Sequence, residues 1–286
     1  MKGTKRNELE IRKAVRGRYG AIARNSGSCC GPSAGCCGAG REEIAGEAGR
    51  TIGYTDEQMQ SVPEGANLGL GCGNPLAHAS IRPGETVLDL GAGAGFDCFL
   101  AAKATGPSGR VIGVDMTPEM VEKARANARR GGYANVEFRL GEIESLPVGD
   151  GAVDCVISNC VINLAPDKSR VFREAFRVLK PGGRLMVSDI VLRRELPPAV
   201  KNSIAAYTGC IAGATSKEEY LGAVAAAGFR EIRVVDETAF PVEVAADGPL
   251  AKAAAEDFGL APGELAAAAA AVASIKVFAV KPVPNA

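Results

Sequence analysis

Residues 86–97 read TVLDLGAGAGFD, and residues 110–115 read RVIGVD. The first stretch is a short apolar run followed at once by glycines, which let a backbone turn tightly and approach a ligand. The helical pattern that follows would present its first N–H groups to whatever the turn holds. The second stretch is another apolar run, and it closes on Asp115, twenty residues after Gly95. A carboxylate at that place accepts both hydroxyls of a ribose. Two common cofactor motifs are excluded. A dinucleotide fingerprint needs glycine at the sixth position counted from Gly91 as the first, where Phe96 stands, and no Gly-Lys-Ser/Thr follows to make a P-loop.

Outward from this unit the same alternation continues. Apolar runs at 86–90, 110–115, 136–140, 153–159 and 184–190 are near-continuous, as strands covered by helices on both faces should be. Between them, 117–130 places Met120, Ala124 and Ala128 on one face, with Thr117 as cap and Pro118 in the first turn. A helix over 168–179 stops before Pro181-Gly182-Gly183. Ser216 and Glu219 form a capping box for a helix to about residue 227, and strands at 231–236 and 274–280 complete seven. The expected fold is α/β, a Rossmann-like, seven-stranded doubly wound sheet with helical additions. Its expected divisions are an N-terminal helix, Cys-rich arm and substrate segment (1–82), a cofactor-binding core (83–240) with an insertion at 193–214, and a C-terminal helical segment with the last strand (241–286). The Ala-rich stretch 246–273 reads as helices on the sheet edge with little functional content. Ile11, Val15, Tyr19 and Ile22 fall at helical spacing. They describe either a surface-lying helix or one that covers the site with Tyr19 as a wall.

Composition narrows the function. A hydrophobic share of 47% and a charged share of 23% are ordinary globular values. Lys plus Arg and Asp plus Glu both total 33, so no overall field draws nucleic acid or an anionic membrane. No apolar run approaches the roughly 20 residues that span a bilayer, and the basic N-terminus is no signal peptide. The expectation is a cytoplasmic protein, monomeric by default, acting on a small molecule. One His and no Trp fit poorly with His-based zinc, Ser-His-Asp or two-His chemistry. Nine Cys are too dilute for a disulfide scaffold and read instead as core thiols, metalloid ligands or redox groups.

The thiols sort by position. Ligands of an open parallel sheet sit beyond the carboxyl ends of its strands, so an acceptor belongs beside SNCVINL at 158–164. Cys160 stands there, with Cys210 in the insertion and Cys72 in GLGCGNP as the next candidates. Cys98, in the first helix after the glycines, and Cys155, inside the fourth strand, read as buried core thiols. His78 reads as structural, and Asn163 as a cap for the next segment.

The GxGxG loop with an acid closing the second strand resembles class I methyltransferases that use S-adenosyl-L-methionine. That resemblance implies a cofactor set of Asp89, Gly91, Ala92, Gly93, Gly95, Asp115, Met116, Glu142, Ile143 and Asn159. In it Glu142 and the Ile143 N–H read the adenine, and Met116 packs on its face. With NLGLGCGNP at 67–75, SNCVINL, KPGGRLMVSD at 180–189 and TGC at 208–210, the chain more specifically resembles arsenite S-adenosylmethionine methyltransferases over roughly 50–235. The resemblance implies that Cys160 and Cys210 hold trivalent arsenic, that Cys72 joins them in binding or in a disulfide step, and that no metal other than arsenic is needed. It also implies a fourth thiol near the N-terminus. Here two vicinal pairs, Cys29-Cys30 and Cys36-Cys37, compete for that role, which is to deliver arsenite or pair with Cys72. A thiol reductant of the thioredoxin or glutathione type would be co-substrate. Two other functions fit parts of the pattern: a small-molecule C- or O-methyltransferase with incidental cysteines, and a non-catalytic, thiol-rich arsenic-binding protein.

Overall fold

In the computed structural model, which describes residues 7–25, 41–239 and 262–284, the apolar runs form one mixed sheet. Its strands are β1 (Thr86–Leu90), β2 (Arg110–Asp115), β3 (Val136–Leu140), β4 (Val153–Asn159), β5 (Leu179–Leu192), β6 (Arg230–Ala239) and β7 (Val272–Val280), in the order β3-β2-β1-β4-β5-β7-β6. The first five run parallel, and β7 is antiparallel to both neighbours. The α/β doubly wound fold read from the sequence is therefore the fold observed. The chain winds outward from β1 to β3 and returns to β4 beside β1, which opens a crevice at their carboxyl ends.

Helices α1 (Glu8–Asn25), α2 (Arg41–Thr51), α3 (Asp56–Gln60) and α4 (Leu76–Ala79) precede the sheet. The crossovers are α5 (Phe96–Thr105), α6 (Pro118–Arg130), α7 (Lys168–Val178) and α10 (Lys217–Ala226), with α8 (Pro198–Asn202) and α9 (Ile204–Thr208) in the insertion and α11 (Pro262–Ala271) before β7. Helix α6 buries Met120, Val121, Ala124 and Ala128 as its spacing predicts, and the Ser216/Glu219 capping box of α10 forms. Thr117 sits at the N-cap of α6 but its side chain makes no cap bond. Asp115 Oδ1 accepts from the Thr117 N–H instead, at 2.8 Å. Among the described residues no helix is long and apolar enough to cross a membrane.

Two apolar layers flank the sheet. On one side Phe172 is fully buried and meets Tyr220 edge to face, with ring centroids 5.2 Å apart. Truncating so well packed a ring removes transfer free energy and leaves a cavity. Phe172→Ala is expected to lower unfolding free energy by about 3–5 kcal/mol, read by chemical denaturation.

One alternative left open by the sequence is decided here, and one expectation changes. The N-terminal helix is not a bystander on the surface: Ile11 and Val15 are buried in the same cluster as Cys72, Cys160 and Cys210. Ala268 and Ala271 of α11 belong to that cluster too, so the described end of the Ala-rich stretch backs the thiols; the part at 246–261 lies outside the described residues.

Candidate active site

The crevice at the switch point holds a cavity of about 390 Å³. Gly91, Gly93, Asp89 and Asp115 line it together with Cys160 and Cys210. Met116 and Ile143 line it too. Gly91 and Gly93 take φ +70° and +52°, the left-handed region that favours glycine. A Cβ on Gly93 would meet nothing within 4 Å, so the backbone there faces open space.

Two backbone N–H groups pin Asp115. Its Oδ2 accepts from the Gly93 N–H at 3.0 Å and its Oδ1 from Thr117, while burial pushes its carboxyl above the usual range. Asp89 is 3% exposed, accepts from Cys98 Sγ at 3.2 Å, and is raised by burial and by neighbouring Asp97. Cys98 and Cys155 are fully buried in the core, and burial pushes the Cys155 thiol up to about 12. His78 stands exposed on α4. The donor set fits S-adenosylmethionine: an open glycine backbone, an oriented carboxylate at the end of β2 and an apolar wall.

Three residues expected from sequence to touch the cofactor have protein partners in the structure. Glu142 does not line the cavity; it pairs with Arg16 at 2.9 Å and Arg12 at 3.4 Å of α1, and Ile143 and Glu144 line the wall in its place. Gly95 caps α5, and a Cβ there would strike Phe138 and Phe99 at 2.8 Å, so this glycine serves packing. Asn159 touches the cavity, but its amide is committed to protein: Oδ1 accepts from the Cys72 N–H, and Nδ2 faces Gly73 O, Tyr54 Oη and Asp97 Oδ2. Asn163 likewise caps nothing; fully buried, it donates to Asp189 Oδ1 at 2.8 Å and to Ile190 O.

The three thiols meet although they come from residues 72, 160 and 210. Sγ of Cys72, Sγ of Cys160 and a carboxylate oxygen of Asp189 lie within 4.8 Å of one another, and Cys210 Sγ donates to Cys160 O at 2.8 Å. Cys160 and Cys210 have φ +59° and +66°. A non-glycine residue there costs on the order of 1 kcal/mol, a strain that surrounding structure must hold. For Cys160 the hold is its N–H on Ser188 O at 2.8 Å. Hydrogen bonding to Cys210 and Cys72, then burial, raises the Cys160 thiol, and burial raises Cys72. Behind them Asp189 is pushed to about 7 by burial, against the pull of the Ile190 N–H, Lys168, Tyr220 and Asn163. Cys29, Cys30, Cys36 and Cys37 lie outside the described residues.

Helix α1 roofs the cavity. Arg12 pairs with Glu144 at 3.1 Å, Arg24 pairs with Glu119, and Tyr19 Oη donates to Thr208 O at 3.3 Å, two residues before Cys210. Sequence reading missed Arg12, Tyr54, Asp97 and Asp189 as site residues. The only signal for the last two was that they stand inside GAGAGFD and KPGGRLMVSD; nothing local marks Arg12 or Tyr54.

A methyltransferase domain model matches residues 81–228, which carry the glycine loop, Cys160 and Cys210. The arsenite methyltransferase of Halobacterium salinarum is 50% identical over 236 residues, covering 80% of this chain and 60% of that protein. That of Aquipseudomonas alcaligenes is 37% identical over 235 residues, covering 79% and 64%. This chain thus spans less than two thirds of the length of these relatives. The crystal structure of an arsenic(III) S-adenosylmethionine methyltransferase from Chlamydomonas reinhardtii superposes with a TM-score of 0.59 at 34% identity, over 83% of this chain and 74% of that one. With glycine loop, acid-closed second strand and a converging set of thiols in one crevice, the chain belongs to the arsenite S-adenosylmethionine methyltransferase family of class I methyltransferases.

Proposed function

We propose that this enzyme methylates trivalent arsenic, held by the thiols of Cys72, Cys160 and Cys210, with S-adenosylmethionine in the adjoining glycine-loop end of the cavity. The observation that carries the reading is that one cavity is lined both by Gly91, Gly93 and Asp115 and by Cys160 and Cys210. Asp115 would hold the ribose, Met116 and Ile143 the adenine, and the open backbone at Gly93 the rest. When bound, this cofactor supplies a methyl group on a sulfonium.

Arsenic(III) is soft, and thiolate sulfur outcompetes carboxylate, imidazole and water for soft centres. Protonated thiols suit arsenite: each As–S bond formed releases one arsenite hydroxyl, which leaves as water with the thiol's proton, so no general base is required. Three As–S bonds leave the arsenic lone pair as the nucleophile. The protein's work is then to hold two reactants together, an effect worth up to about 7–11 kcal/mol. Methyl transfer raises arsenic by two oxidation equivalents, and a dithiol of the thioredoxin type, glutathione, or two of the enzyme's cysteines would restore the trivalent state. Such a cycle belongs in the reducing cytoplasm.

Incubating the purified chain with arsenite, S-adenosylmethionine and excess thiol is expected to yield methylarsenicals, separated by chromatography and read by mass detection. Absence of product, with binding of both ligands demonstrated by calorimetry, would overturn the reading in favour of a sequestering protein or another methyl acceptor.

A further inference from the structure

Cys72 stands on a loop, and a loop alone does not hold a ligand atom to a fraction of an ångström. Three bonds hold its backbone. The Cys72 N–H donates to Asn159 Oδ1 at 3.0 Å, Gly73 O accepts from Asn159 Nδ2 at 2.8 Å, and Cys72 O accepts from Ser274 Oγ at 2.6 Å. The partners fix the amide's orientation, since an N–H only donates and a carbonyl only accepts. Nδ2 is steadied further by Tyr54 Oη at 2.9 Å and Asp97 Oδ2 at 3.2 Å. Glycines make this seat reachable: a Cβ on Gly71 would stand 2.9 Å from the Asn159 amide, and one on Gly73 2.0 Å from Ser188 Oγ.

We infer that Asn159 and Ser274 are positioning residues for the third arsenic ligand, clamping the backbone at residue 72 so that its thiol stands beside Cys160 before substrate arrives. The inference rests on the arsenic reading above. Its physical content is pre-organisation. Once Cys160 and Cys210 have captured arsenite, closing the third As–S bond is an intramolecular step whose advantage depends on how little loop freedom is left to freeze. Asn159 therefore acts through Cys72, in place of the cofactor contact expected from sequence.

A double-mutant cycle on the full chain tests this, with arsenite affinity measured by calorimetry in the absence of cofactor. Asn159→Ala and Ser274→Ala should each weaken arsenite about tenfold in the native background and less than twofold in a Cys72→Ser background. S-adenosylmethionine affinity should stay within about threefold for both. Equal weakening in the two backgrounds would overturn the clamp, as would an Asn159→Ala variant that loses cofactor affinity tenfold while keeping arsenite. If Asn159→Ala does not fold, the Ser274→Ala arm decides alone. Failure of the native protein to bind arsenite would overturn the arsenic reading itself, a result distinct from additivity in the cycle.

Discussion

Cys160→Ser is expected to lower kcat/KM for arsenite methylation by about a thousandfold, or roughly 4 kcal/mol of transition-state stabilisation. Serine is nearly isosteric, and it can keep the backbone bond to Ser188 O and the carbonyl that accepts from Cys210. What it lacks is sulfur. A hard hydroxyl competes poorly with bulk water for arsenic, so the remaining thiols give an arsenic centre that dissociates and presents a less defined nucleophile. The loss should therefore appear without a drop in thermal stability of more than a few degrees and without a change in S-adenosylmethionine affinity. Methylation persisting within tenfold of the native rate would show that Cys160 does not ligate the arsenic, and would turn attention to the C- or O-methyltransferase alternative.

Replacing Gly91 and Gly93 of the loop, each by alanine, should separate packing from ligand approach. At Gly91 a Cβ would lie 2.4 Å from Val161 Cγ2 and 2.7 Å from Val161 Cβ. Since Val161 follows Cys160, relief of that clash moves the thiol as well as the loop. Gly91→Ala is expected to lower the melting temperature, weaken S-adenosylmethionine by at least a hundredfold, and abolish methylation. At Gly93 the same methyl group meets open space and the protein loses only about 1 kcal/mol to the left-handed backbone. Its methyl nonetheless enters the cavity, so cofactor affinity should fall about tenfold or more in a protein of nearly native stability. Paired thermal unfolding and calorimetry read both effects. Equal cofactor affinity in Gly93→Ala and the native chain would mean that the ligand does not approach this backbone.

The sheet was legible because its signal is local and repeated. Val87, Leu88 and Leu90 announce a strand buried on both faces, and Ser216 with Glu219 announces a helix start, each within a few residues. Cys160 was legible for a topological reason, since it follows the strand that flanks the switch point. The ion pairs of Glu142 were not legible because its partners, Arg12 and Arg16, lie some 130 residues away and no local pattern tells which acid a distant guanidinium will take. Tyr54 was missed on the same ground. Its hydroxyl reaches Asp97 at 2.5 Å and Asn159 at 2.9 Å across long sequence separations. The bonds from Asn159 to the Cys72 loop were not legible, because an amide that supports a backbone and one that touches a cofactor have the same sequence signature.

Ser274 and Cys72 are separated by 202 residues along the chain, yet one hydrogen bond joins them. The strand that brings Ser274 into place, β7, inserts between β5 and β6 and is made after both. During synthesis, Cys72, Cys160 and Cys210 thus emerge well before the strand that seats the first of them. A nascent chain paused before residue 272 would carry all three thiols while the Cys72 carbonyl still lacked its Ser274 partner. The order of synthesis therefore separates making the thiols from seating them.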